Sequence, residues 1–158
     1  MKKKILFTVI ALSMLSSIPV YAEDVVVTIP AYAVGDDMSE LPEAQSSEIA
    51  EDGSVIYVLN SEQQEEWKEY LKSGFDDSIK TVLDDDTNYP NVESITYNDD
   101  MTEFTISVSS SDNLTMSEWF VAYLPLFVAP MYQEANGISA DDVDYTLTTV
   151  DSSTGAET

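Results

Sequence analysis

The sequence has no cysteine, no histidine and no arginine, and its only bases are six lysines among 158 residues. Each absence removes a class of chemistry. Without Cys there is no disulfide, no thiol nucleophile and no lipid-modified cysteine behind a leader. Without His or Cys there is no soft-ligand metal site and no Ser-His-Asp triad. With so few cations, a surface that tracks nucleic-acid phosphates is excluded in practice. No cofactor and no nucleic-acid partner are expected.

What is present is acid. Thirty Asp and Glu give a formal charge of −24, and three of the six lysines are Lys2, Lys3 and Lys4. Past residue 22 the remaining 136 residues therefore carry 27 net negative charges. The first residues read as an export leader. Lys2 to Lys4 form its basic start, Ile5 to Val20 is an uncharged apolar stretch, and Val20-Tyr21-Ala22 offers small residues for cleavage near Ala22. The apolar stretch of 16 residues is shorter than the roughly 20 that span a bilayer. A secreted protein, extracellular or associated with the cell envelope and off the membrane once cleaved, is the expectation.

The rest of the chain reads as residues 23–52, an edge strand followed by an acidic loop, and residues 53–158, a single α+β domain. Asp24 to Ile29 is a β-branched run closed by Pro30, as suits an edge strand. Ala31 to Asp52 is rich in Ser, Glu and Asp, with room for a helical turn between Glu43 and Ile49. Ser54 to Leu59 is a continuous apolar run of the kind found in a central strand. Ser61 with Gln64 has capping-box spacing, and Trp67, Leu71, Phe75, Ile79 and Val82 then form one apolar stripe of a helix. Its other side is charged, with Glu62, Glu65, Lys68, Glu69, Lys72, Asp76 and Lys80.

Val92 to Tyr97, the turn Asn98-Asp99-Asp100 and Met101 to Ser109 read as a hairpin, with Phe104, Ile106 and Val108 alternating inward. Thr115 with Glu118 is a second capping box. It opens the most apolar stretch of the chain, Trp119 to Tyr132, which Pro125 and Pro130 should kink or split. Asn136-Gly137 stops it, and Val143, Tyr145 and Leu147 begin a last strand. From residue 54 the order is strand, helix, strand, strand, helix, strand. This is the ferredoxin-like βαββαβ order, an antiparallel sheet with two helices on one face, plus an N-terminal edge strand.

Several short segments resemble small secreted or lipid-anchored proteins of Gram-positive gut bacteria, some labelled antigen I/II N-terminal domain-containing proteins. They are Val27-Thr28-Ile29-Pro30, Glu51-Asp52-Gly53-Ser54-Val55, Tyr97-Asn98-Asp99-Asp100, Met131-Tyr132-Gln133 and Val150-Asp151 with Thr154-Gly155. The resemblance implies export and the extent of the domain, and no catalytic residues. The chain departs from the lipid-anchored members in having no Cys after its leader. A Gram-positive wall is a polyanion, so a protein this acidic is expected to pass through it and to be drawn to a cationic partner.

The acidic pairs Asp36-Asp37, Asp84-Asp85-Asp86, Asp99-Asp100 and Asp141-Asp142 raise a calcium reading, best at Asp84, Asp86 and Asn88. An EF-hand loop would need Gly at Tyr89 and Glu at Ile95, so that motif fails, and Asp is expected at such turns in any case. Paired-carboxylate catalysis finds no cation to assist it beyond Lys68, Lys72 and Lys80 on one helix face. The aromatic set Trp119, Phe120, Tyr123, Phe127 and Tyr132 belongs to a helix apolar nearly all round, and such a helix is expected in the core. The expectation is therefore an exported, non-catalytic interaction or accessory protein of the cell envelope. Thr105, Ser107, Thr146 and Thr148 on the sheet are its natural binding face. The alternatives are a calcium-responsive binding module or, by analogy of fold, a prodomain-like inhibitor of a secreted hydrolase.

Overall fold

The computed structural model describes residues 24–34 and 41–157, so the leader and the Asp36-Asp37 pair lie outside the described residues. The protein is α+β. Its described residues form two compact units, one of 24–34, 41–72 and 130–143, the other of 73–129 and 144–157.

In the first unit, strands β1 (Val25–Ile29), β2 (Ser46–Ile49) and β3 (Val55–Leu59) make an antiparallel sheet in the order β1-β3-β2. The apolar run of β3 is central, with Tyr57 facing Val27 on one side and Ser47 on the other. The expected helical turn between Glu43 and Ile49 is instead strand β2, because pairing with β3 supplies hydrogen bonds that a lone turn lacks. Gln45 N already donates to Val58 O at 2.9 Å, one residue before the strand. Gly53, at φ +85°, makes the turn into β3, and Asp52 fixes it by accepting from Ser54 N and Oγ.

Helix α1 (Ser61–Leu83) starts one residue earlier in its cap than the Ser61–Gln64 spacing suggests. Asn60 Oδ1 accepts from Glu62 N and Gln63 N, both at 3.0 Å, and Gln63 Oε1 accepts in return from Asn60 N at 3.2 Å. Asn caps as well as Ser, and β3 ends at Leu59, so Asn60 holds the junction. Trp67 is fully buried; its Nε1 donates to Glu43 O at 3.1 Å and its ring meets Tyr57 at 4.8 Å.

In the second unit, strands β4 (Val92–Tyr97), β5 (Glu103–Val108), β6 (Thr146–Asp151) and β7 (Ala156–Glu157) follow one another across a sheet. The hairpin turn is where the sequence placed it, with Asn98 Oδ1 accepting from Thr102 N and Glu103 N. Phe104, Ile106 and Val108 face inward from β5. Ile106 and Val108 form a core with Val82 of α1, Ile95 of β4 and Val121 of helix α2 (Met116–Val121). Beside it Phe75 meets Tyr97 and Phe104 edge to face at 5.2 and 5.7 Å.

Two points of the expected topology change. The strands fall into two sheets rather than one, and β5 and β6 run parallel, not antiparallel. The connection from β5 to β6 passes through α2 and helix α3 (Leu124–Ala135), long enough to bring the chain back in the same direction. Pro125 and Pro130 were expected to kink or divide this segment, and it is divided, at Ala122 and Tyr123. The break lies just ahead of Pro125, where the missing N–H does no harm in a first turn. Pro130 stays inside α3.

Candidate functional site

Helix α2 begins with the Thr115–Glu118 capping box. Glu118 N donates to Thr115 Oγ1 at 3.2 Å, and Thr115 N donates to Glu118 Oε2 at 2.7 Å. The same carboxylate reaches across to the start of β4, accepting from Asn91 N at 2.5 Å and Asn91 Nδ2 at 3.2 Å. Burial alone would raise the Glu118 pKa, but the bonds from Thr115 and Asn91 outweigh it, and the group titrates below its ordinary value. Glu118 is thus a buried, ionised anchor that fixes how α2 is rotated.

That rotation decides which face is wet. Glu118, Val121, Pro125 and Val128 recur at helical spacing and are buried. Met116, Trp119, Phe120, Tyr123 and Phe127 recur at the same spacing on the opposite side. They stand in solvent, with Met116 73 % exposed, Trp119 58 % and Phe120 62 %. Phe120 and Tyr123 touch, ring centroids 5.9 Å apart, so the outward side chains form a patch. The expectation that this set lies in the core is wrong for Trp119, Phe120, Tyr123 and Phe127, while Tyr132 is half-buried. The segment has two apolar faces, and only one can be inside. The hydrogen bonds of Glu118 with Thr115 and Asn91 put the aliphatic one there.

Thr105, Ser107, Thr146 and Thr148 share one face of the sheet. Thr105 and Ser107 alternate with the inward residues of β5, and Thr96, Thr105 and Thr148 lie in one row across three strands. Thr105, Ser107, Thr146 and Thr148 are all half-buried, and Val150 lies beside Ser107 on the same face.

The acidic clusters go into turns. Asp85 accepts from Thr87 N, Asn88 N and Asn88 Nδ2 at the end of α1, and these bonds, led by that from the Asn88 side chain, lower its pKa. Asp99 and Asp100 occupy the hairpin turn and Asp141 and Asp142 a single 3-10 turn. Among the described residues no three acidic side chains come together as a metal-binding group, and no helix is long and apolar enough to cross a membrane.

Two further buried carboxylates escaped the sequence reading. Asp151 accepts from Ser111 N and Oγ, Ser153 N and Oγ, and Thr154 N at 2.6–3.1 Å. Led by the Ser111 amide, these donors hold its pKa far below the carboxylate range. The Ser-Ser-Thr run after Asp151 was the available signal. Glu134, in α3, is 5 % exposed and accepts from Thr28 N of the edge strand β1 at 2.6 Å. Burial, partly offset by that bond, pushes its pKa up to about 7. No local pattern announces a contact between residues 106 positions apart.

No protein-family model matches the chain, and neither a curated protein nor a solved structure does.

Proposed function

We propose that the protein is an exported, non-catalytic interaction protein of the cell envelope or its surroundings, and that the aromatic face of α2 and α3 is its docking surface. One observation carries the reading: Met116, Trp119, Phe120, Tyr123 and Phe127 lie exposed together on one side of an anchored segment. Burying such a side chain fully is worth about 1.5–3 kcal/mol, so leaving five of them 43–73 % exposed forgoes part of that stabilisation. Contiguous apolar patches on soluble proteins mark interaction sites, and Trp, Tyr, Phe and Met are the residues enriched at the centres of protein interfaces. Export is supported by the Lys2–Ala22 leader pattern. The Glu118 anchor supplies the rigidity that a recognition surface requires.

A photo-crosslinking residue placed at Trp119, and separately at Thr96 on the hydroxyl-bearing sheet face, tests the assignment in the producing cells. Adducts from position 119 and none from position 96 are expected. Adducts from 96 alone would move the binding face to the sheet, and none from 119 would sink the reading.

A further inference from the structure

Resting on that reading of the aromatic face, we infer that its occupant is a cationic amphipathic helix presented by another protein. The first argument is charge. No basic residue follows Lys80 anywhere in the chain, so the stretch that carries the patch contains no cation of its own to lay over the rings. Among the described residues, the unit that holds the patch has fourteen Asp and Glu against the single base Lys80. Aromatic faces attract ammonium and guanidinium groups, and the net negative charge of the unit draws a partner of opposite sign from a distance.

The second argument is shape. Met116, Trp119, Phe120, Tyr123 and Phe127 recur three or four residues apart along α2 and the first turn of α3, and a row of that spacing suits the apolar face of a partner helix. Met116, Phe120 and Phe127 offer that helix apolar contact without hydrogen bonds, as suits its hydrophobic face.

The same observations count against the other occupants. A second copy would bring two acid-rich units together with only Lys80 among the described bases of each to pair them, at a cost in repulsion. A lipid surface is served by interfacial helices that bear Lys and Arg on the polar side, and α2 and α3 contain neither.

The test uses protein purified from the full-length reading frame and four probes. These are a labelled Lys/Leu amphipathic helical peptide, its Glu/Leu counterpart, a Lys/Ser peptide of equal charge but no apolar face, and neutral phosphatidylcholine vesicles. The inference requires that the Lys/Leu peptide bind best and that Trp119→Ser and Phe120→Ser each weaken it at least about tenfold. Binding should also weaken as salt rises from about 0.05 to about 0.5 M, while Thr96→Ala leaves it unchanged. Melting temperatures of the variants, expected within a few degrees of the parent, separate lost binding from lost folding.

Equal binding of the Glu/Leu or Lys/Ser peptide, or no binding of the Lys/Leu peptide, overturns the inference. So does vesicle binding or self-association abolished by Trp119→Ser, though either would leave the face a docking surface. Absence of crosslinks at position 119 is the distinct result that removes the face itself.

Discussion

Helix α1 and the α2–α3 segment are built from the same large side chains at the same spacing, and they use them in opposite ways. In α1, Trp67, Leu71, Phe75 and Val82 are buried. In α2 and α3, Met116, Trp119, Phe120 and Tyr123 are exposed. The difference lies on the other side of each helix. Opposite its apolar stripe α1 carries Glu62, Glu65, Glu69 and Asp76, whose charges forbid burial, so one orientation remains. Opposite the aromatic stripe α2 and α3 carry Val121, Pro125 and Val128, so two orientations compete on hydrophobicity alone. The hydrogen bonds of a single buried carboxylate then decide between them. Periodicity identifies an apolar face, but burial needs a reason for the other face to stay out.

The largest expected effect lies on the α1 side. Trp67→Ala removes a fully buried indole and its bond to Glu43 O, and should cost about 3–5 kcal/mol in urea denaturation. The matching change Trp119→Ala should stay within about 0.5 kcal/mol. Equal losses would erase the contrast between the two helices.

Next comes the anchor. Glu118→Ala leaves the amides of Thr115 and Asn91 without their acceptor and should cost about 2–3 kcal/mol. If α2 were held by its apolar contacts alone, that loss would fall below about 1 kcal/mol.

A smaller effect sharpens the comparison at the other end of α3, where the buried side chain is ionisable. The folded state keeps the Glu134 proton up to about pH 7, whereas an unperturbed Glu releases it near 4.5. The folded protein therefore binds the extra proton between those values, and this group's contribution to stability is lost as pH rises through that window. Glu134→Gln should remove the loss and be more stable than the parent by about 2 kcal/mol near pH 8. Asp151 works in the opposite sense. Its pKa is lowered, so its contribution is present above the ordinary carboxylate range and disappears as pH falls through its depressed value. A melting-temperature series against pH separates them; a Glu134→Gln profile that still falls between pH 4.5 and 7 would assign the titration to another group. The smallest effect belongs to Met116→Ser, at a side chain 73 % exposed, which should change stability by less than about 0.5 kcal/mol.

What could be read from the sequence follows the range of each interaction. The β3 run, the stripe of α1, the Asn98–Asp100 turn and the Thr115–Glu118 box are settled within a few residues, and each stands where local rules place it. Strand β2 could not be read because Ser46-Ser47-Glu48-Ile49 has little strand preference of its own and is extended only by pairing with β3. The division into two sheets and the parallel β5–β6 pair depend on partner choice across long separations, which element order does not fix. For the candidate site, the aromatic residues were legible as a set. Their exposure was not, because it rests on Asn91 and Glu118, 27 positions apart.

The most direct test of this account is the fluorescence of the two single-tryptophan proteins, Trp67→Phe and Trp119→Phe. With Trp119 as the only indole, emission should be red-shifted and readily quenched by acrylamide. With Trp67 alone, emission should be blue-shifted and quenching weak. Equal protection of both indoles would contradict an exposed aromatic face, and the docking surface would have to be given up.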